Sequence, residues 1–232
     1  DKNVGTGKTV TITPSYSGAD VSNYSVTDQS STTANITAKS LTVSGITASD
    51  KTYDGSTSAT LTGSAVYSGL VSGDTFTGSY TGVFADANVG TGKTVNITSS
   101  YSGADVNNYS VTDQSSTTAD ISAKALTATA SASNKTYDGG TTASTTLTFT
   151  GLVGSETLGQ TVGSTFDNKN VGSNKTVTVN SITLSDGSGL AANYSISAGQ
   201  TTTANITAKS LTVSGITASN KTYDGSTNVT LD

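Results

Sequence analysis

The sequence repeats itself at a fixed interval, and this period constrains the fold more than any other feature. Tyr24, Tyr109 and Tyr194 each stand in an Asn-Tyr-Ser triplet and follow one another at steps of 85 residues. Asn-Val-Gly occurs at 3–5, 88–90 and 170–172, and Lys-Thr-Tyr-Asp-Gly occurs at 51–55, 135–139 and 221–225. A fixed period of this length is typical of small domains joined in tandem.

The period divides the chain into two complete and two partial repeats. We expect a first complete repeat at 41–125 and a second complete repeat at 126–210. Residues 1–40 match the C-terminal part of a repeat, and residues 211–232 match the N-terminal part of a further one. Each complete repeat is long enough to bury one modest hydrophobic core.

The apolar residues alternate with Thr, Ser and Asn, which predicts β-strands with one face in solvent. Val10 and Ile12 alternate with Thr, and the same pattern recurs at Val95 and Ile97. No segment has the apolar spacing of an amphipathic helix, and Asp-Gly pairs predict tight turns. We therefore expect an all-β fold with about seven strands per repeat, as in tandem immunoglobulin-like β-sandwich domains.

The segment from Ala34 to Val43 crosses the border between two repeats without a Gly or Pro. The last strand of one repeat should therefore lead almost directly into the first strand of the next. Such a junction is short and stiff, and it predicts an extended, monomeric rod with a length on the order of 100 Å.

The second complete repeat carries small insertions and deletions that cancel to restore the period. Because length changes usually fall in loops, we expect loops near residue 130, at 150–168 and at 184–191.

Composition excludes several classes of function. The net charge is −5 and the sequence has no basic cluster, so we expect no nucleic-acid partner. No apolar run approaches the ~20 residues of a membrane span, so we expect no membrane insertion. The chain has no Cys and no His, which leaves no thiolate or imidazole ligand for a metal.

The motif Lys51-Thr52-Tyr53-Asp54-Gly55 combines a base, a phenol and an acid, but its presence in every repeat favours a turn that specifies the fold. The segment Asn88–Thr94 does not have the glycine spacing of a phosphate-binding loop. We therefore expect no catalytic residues, no cofactor-binding residues and no enzyme activity.

Two further sites stay open at the level of sequence. Tyr109, four residues after Asp105, is expected to fold back onto the backbone at a corner between sheets, although an aromatic platform for sugar is an alternative. Calcium at a junction between repeats is a second possibility, with Asp50, Asp74 or Asp105 and backbone carbonyls as ligands. An internal Lys–Asn crosslink would use Lys51 or Lys93.

The order of these landmarks resembles the YDG repeat, a family found in large bacterial surface exoproteins, often of the filamentous haemagglutinin type. The landmarks are the Tyr-Asp-Gly turn, Gly-Leu-Val at 69–71 and 151–153, Phe84 or Phe166, Asn-Val-Gly and Asn-Tyr-Ser. The resemblance implies tandem β domains of a secreted or surface-anchored adhesin, and it brings no catalytic residues.

We therefore expect a structural stalk that projects a distal adhesive region from a bacterial cell surface. Its partners would be neighbouring repeats of the same chain, and host or matrix surfaces reached through other domains. The alternative is that the repeats themselves bind glycan, through Tyr67, Tyr80 or Tyr101 as exposed rings, or self-associate in a biofilm matrix through edge strands.

Overall fold

The computed structural model describes all 232 residues and divides them into two compact units, residues 1–124 and 125–232. Regular structure consists of β-strands and three single turns of 3₁₀-helix, with no α-helix, which confirms the predicted all-β class. The 3₁₀ turns are Val21–Asn23, Val106–Asn108 and Ala191–Asn193, each directly before a repeated tyrosine.

The first unit contains ten complete strands in chain order. They are β1 (Gly5–Thr11), β2 (Ser31–Ile36), β3 (Lys39–Ala48), β4 (Lys51–Thr52), β5 (Ser58–Ala59), β6 (Leu61–Ser68), β7 (Thr77–Phe84), β8 (Gly90–Ser102), β9 (Tyr109–Thr112) and β10 (Ser116–Ser122).

These strands form three sheets. β1 and β2 of residues 1–40 pair only with each other, whereas the first complete repeat has a three-stranded sheet β6-β3-β9 and a five-stranded sheet β4-β10-β8-β7-β5. Most pairs are antiparallel, but β3 runs parallel to β9 and β4 runs parallel to β10.

One core cluster of the first complete repeat lies between these two sheets. Leu41 and Val43 occupy alternate positions of β3, and Ile46 follows Val43 by three residues across a bulge. All three are buried and pack with Phe76 and Tyr109. Half-buried side chains of β6, β7 and β8 complete this cluster, among them Tyr67, Tyr80, Ile97 and Tyr101. The alternation of Thr and Ser with apolar residues thus places one face of each strand in the core, as the sequence predicts.

β2 and β3 are separated by two residues only, Thr37 and Ala38. The predicted direct passage from one repeat to the next is therefore present in the first unit. The chain changes sheet at this step, because β2 pairs with β1 whereas β3 pairs with β6 and β9.

The second unit contains the remaining strands, except that Lys124, the first residue of β11, is the last residue of the first unit. They are β11 (Lys124–Ala125), β12 (Thr127–Ala132), β13 (Lys135–Thr136), β14 (Thr145–Thr150), β15 (Leu158–Phe166), β16 (Gly172–Asp186), β17 (Tyr194–Ser195) and β18 (Thr201–Thr207). β12 pairs with β14, and the order β13-β18-β16-β15 defines a four-stranded sheet. Phe166, Val177 and Ile206 form the centre of one core cluster of this unit.

The prediction that length changes fall in loops is wrong for much of the second complete repeat. Residues near 130 lie in β12, and 150–168 contains strand β15 (Leu158–Phe166) in addition to a loop at 151–157. β16 has 15 residues whereas its counterpart β8 has 13, so two of the three residues inserted before Tyr194 lengthen a strand. A bulge at Asn180 and a longer hairpin accommodate these residues without breaking the ladder.

The terminal partial repeats expose side chains that are buried in the first complete repeat. Tyr24 is 74% exposed although its counterpart Tyr109 is 8% exposed. Residues 208–232 form no strand longer than the single bridge between Ala218 and Leu231. Both segments lack the neighbouring strands against which their apolar side chains would pack.

Candidate functional site

The Lys-Thr-Tyr-Asp-Gly motif forms a turn that joins the two edges of a curled sheet. In the first complete repeat, Lys51 lies in the edge strand β4, and its ammonium donates to the carbonyl oxygen of Ser58 in the opposite edge strand β5 at 3.2 Å. The same ammonium donates to the Ser56 carbonyl at 2.7 Å and to Asp54 Oδ1 at 2.8 Å. The turn therefore holds together strands that are four positions apart in the sheet order.

The second complete repeat builds the same turn from its own residues. Lys135 Nζ lies 2.8 Å from Asp138 Oδ1, 2.8 Å from the Gly140 carbonyl oxygen and 3.1 Å from the Thr142 carbonyl oxygen. Thr142 forms a β-bridge with Thr165 of β15, at the other edge of the four-stranded sheet.

The lysine of this turn also lies over an aromatic ring. Lys51 Nζ is 5.5 Å from the ring centroid of Phe84, and Lys135 Nζ is 5.6 Å from that of Phe166. Both rings are buried, so the attraction between the ammonium and the ring face adds to the hydrogen bonds. These contacts give the motif the structural role that the sequence favours.

Hydrogen bonds from the turn keep its carboxylates ionised. The Lys51 ammonium, followed by the Ser56 amide, holds the pKa of Asp54 below its ordinary value. Lys135 and the Gly140 amide lower the pKa of Asp138 in the same way.

The tyrosine of the Asn-Tyr-Ser triplet binds the Gly-Leu-Val loop of its own repeat. This loop lies between β6 and β7 in the first complete repeat and between β14 and β15 in the second. Tyr109 Oη accepts a hydrogen bond from the Val71 amide at 3.0 Å and donates to Asp74 Oδ2 at 2.7 Å. Tyr194 Oη accepts from the Val153 amide at 2.9 Å and donates to Glu156 Oε2 at 2.6 Å. Burial, and then the hydrogen bond to the carboxylate, raises the pKa of both phenols.

The expectation that the tyrosine bonds the backbone is thus met, but its acidic partner was not identified from the sequence. Asp105 is not that partner; its Oδ2 accepts from the Thr75 amide at 2.8 Å. The signal was present in the Gly-Leu-Val loops, where an acid follows the valine by three residues in both complete repeats, Asp74 after Val71 and Glu156 after Val153.

A polar contact set joins residues 1–40 to the first complete repeat within the first unit. Lys2 Nζ lies 3.2 Å from Asp74 Oδ1 and 3.3 Å from Asp105 Oδ1. The Val4 amide donates to Asn108 Oδ1 at 2.9 Å, and Asn108 Nδ2 donates to Asn3 Oδ1 at 3.2 Å. We call this set, with Lys2, Asp74, Asp105 and Asn108 at its centre, the Lys2 junction.

The Lys2 junction bears on the suggested calcium ligands. The structure brings Asp74 and Asp105 together, and the ammonium of Lys2 lies between them. Asp50 is engaged elsewhere, because its Oδ1 accepts from the Asp120 amide at 2.7 Å. No group of three or more His, Cys, Asp or Glu side chains that could hold a metal ion is present.

The premise that Tyr67, Tyr80 and Tyr101 are exposed rings is wrong. All three are half-buried and pack against the core cluster between the two sheets of the first complete repeat. The Tyr67 and Tyr101 ring centroids lie 5.2 Å and 5.1 Å from that of Phe76. Tyr80 Oη donates to Tyr67 Oη at 3.1 Å, and burial raises the pKa of Tyr80. Their rings therefore build the core instead of forming a surface platform.

The other candidate residues have local roles. The Gly92 amide, in the segment compared with a phosphate loop, donates to Asp120 Oδ1 at 2.7 Å. Lys93 pairs with Asp86 at 2.8 Å. No helical segment of the chain is long and apolar enough to cross a membrane.

The repeated turn, the buried tyrosine and the all-β sheets together define a tandem β-repeat protein. The model of the YDG domain matches residues 37–119 and again residues 122–204. The chain therefore belongs to the YDG domain family, in which it carries two matched domains in tandem. No curated protein and no solved structure matches the chain.

Proposed function

We propose that this chain is a segment of the structural stalk of an extracellular bacterial adhesin, built from immunoglobulin-like β-sandwich repeats in an extended rod. The observation that carries the proposal is the direct passage from β2 to β3, where two residues separate strands of successive repeats. A stalk needs such short junctions because a long flexible linker would let the domains fold back on each other.

Three features support this proposal. The tandem YDG domains give a chain whose length can change by whole repeats. The Lys2 junction fixes residues 1–40 to the following repeat by ionic and amide contacts. The surface is rich in Ser and Thr and the chain contains no Cys, which suits a protein that is exported and works outside the cell.

Small-angle X-ray scattering of the chain tests the stalk. We expect a maximum dimension on the order of 100 Å, unchanged when calcium is replaced by a chelator. A compact particle would contradict the stalk, and a rod that becomes flexible in chelator would show that metal, not the Lys2 junction, stiffens the array.

A further inference from the structure

The second unit carries a face that matches the upstream side of the Lys2 junction. Strand register defines the match: Gly5 pairs with Ile36 in residues 1–40, and Gly172 pairs with Ile206 in the second complete repeat. Counting from these glycines, Lys169 and Val171 correspond to Lys2 and Val4. Counting from the isoleucines, Lys209 corresponds to Lys39.

In the first unit this face is covered by the next repeat. Lys2, Val4 and Lys39 line a cavity of about 360 Å³ whose other wall includes Asp74 and Tyr109. The Lys2 ammonium reaches two carboxylates there, and the Val4 amide is bound by the Asn108 side chain. The repeat that covers this face thus presents to it the carboxylates of Asp74 and Asp105, the side-chain amide oxygen of Asn108 and the ring of Tyr109.

In the second unit the corresponding face is open to solvent. Val171 is 55% exposed and Lys169 is exposed. Val171 and Lys209 line an apolar cavity of about 320 Å³ with Tyr137, Ala208 and Leu211. An exposed apolar cavity that Lys209 lines, with the exposed Lys169 two residues before Val171, is complementary to an apolar surface that carries carboxylates.

We propose that the face formed by Lys169, Val171 and Lys209 docks a further YDG repeat of the same type as residues 41–125, whose paired carboxylates receive the Lys169 ammonium. A repeat of the 126–210 type fits less well. It keeps an acid, Glu156, at the position of Asp74, but Leu190 replaces Asp105 at the residue before the 3₁₀ turn.

The linking strand supports the same partner. Residues 209–219 are identical in sequence to residues 39–49, which contain β3. β3 forms between β6 and β9 of the first complete repeat, and residues 209–217 form no strand. A docked repeat would supply both missing neighbours. This inference concerns how repeats join, and it holds whether or not the array is a stalk.

The test extends the chain after Asp232 with a second copy of residues 63–125, which completes the partial repeat 211–232. Amide hydrogen exchange at Val171 is then compared between the extended and the original chain. We expect exchange at Val171 to slow by about tenfold or more, because the added asparagine side chain binds this amide and excludes solvent.

Substitutions in the extended chain separate specific docking from simple proximity. Lys169→Ala, or leucine in place of the added counterpart of Asp105, should remove most of the protection at Val171, whereas Lys169→Arg should retain it. Lys2→Ala is the matched control, since it should speed exchange at Val4 and leave Val171 unchanged.

Fast exchange at Val171 in the extended chain would overturn the proposal, whether or not the added repeat folds. Protection that survives both Lys169→Ala and the leucine substitution would overturn the role of the carboxylate pair. Because scattering measures the shape of the array and exchange measures this face alone, failure of the stalk and failure of the docking proposal are distinguishable.

Discussion

Leu41 and Leu211 occupy the same position in two identical eleven-residue segments, yet Leu41 is completely buried and Leu211 is 88% exposed. The difference lies in their surroundings. Leu41 packs with Phe76 and Tyr109 of the same repeat, and the segment of Leu211 has no equivalent neighbours in the chain. Strand formation here depends on tertiary partners more than on local sequence.

Truncation of these two leucines should have very different effects. Leu41→Ala removes a fully buried side chain and should lower the free energy of unfolding of the first complete repeat by about 2–5 kcal/mol. Leu211→Ala, in the same local sequence, should leave it unchanged. Chemical denaturation of both variants is the measurement, and equal effects would show that residue 41 is not a core position.

Replacement of the turn lysine should weaken the closure of the sheet. Lys51→Met deletes the donor to the Ser56 carbonyl in the turn and to the Ser58 carbonyl in the opposite edge strand, and it should destabilise the first complete repeat by about 1–3 kcal/mol. Lys221→Met is the matched control, because Lys221 makes the same local contacts in a segment without a sheet. A drop in stability of equal size in both variants would contradict the edge-closing role.

Loss of the buried phenol should destabilise the second complete repeat. Tyr194→Phe leaves the Val153 amide and the Glu156 carboxylate without this partner and should cost about 1–3 kcal/mol of unfolding free energy. Tyr24→Phe, at a tyrosine that is 74% exposed, should have no measurable effect. Thermal unfolding of the two variants checks this difference, and unchanged stability of Tyr194→Phe would show that the phenol is not needed.

Acid should destabilise both complete repeats. The pKa values of Asp54 and Asp138 are lowered in the folded state, so these carboxylates bind protons more weakly there than in the unfolded chain. Their stabilisation is fully present above the ordinary carboxyl value of 3.8 and is lost as the pH falls through the lower folded values. NMR titration of the two carboxyls, with unfolding followed from pH 6 to pH 2, measures both effects.

The matched control for this prediction is the pair of substitutions Asp54→Asn and Asp138→Asn, which should flatten the dependence of stability on pH. A dependence that stays as steep in the double variant would assign the acid sensitivity to other carboxylates.

The features that sequence predicts best are those with local causes. The turn at 221–226 shows this, because Lys221, Asp224 and Ser226 make the local contacts of the turn although residues 208–232 form no sheet. Such side-chain to backbone bonds span few residues, and a short motif is sufficient to specify them.

The features that sequence missed depend on long-range packing. Asp74 lies 35 residues from Tyr109, and although an acid recurs three residues after the valine of both Gly-Leu-Val loops, that local pattern does not indicate which side chain it contacts. Tyr67 and Tyr101 look like surface residues in a Ser-rich segment, but the two facing sheets bring both rings against Phe76. The residues inserted before Tyr194 were likewise assigned to a loop, whereas an added bulge and a longer hairpin hold two of the three in strand β16.

The two-residue step between β2 and β3 has a mechanical consequence. Tension transmitted through residues 1–36 enters the first complete repeat at Lys39, the first residue of β3. Strand β3 is hydrogen-bonded to β9 on one side and to β6 on the other. A pull along β3 strains these hydrogen bonds in shear, and they must break together instead of one after another. Resistance to force would then follow the rate of unfolding of this sheet, not its equilibrium stability.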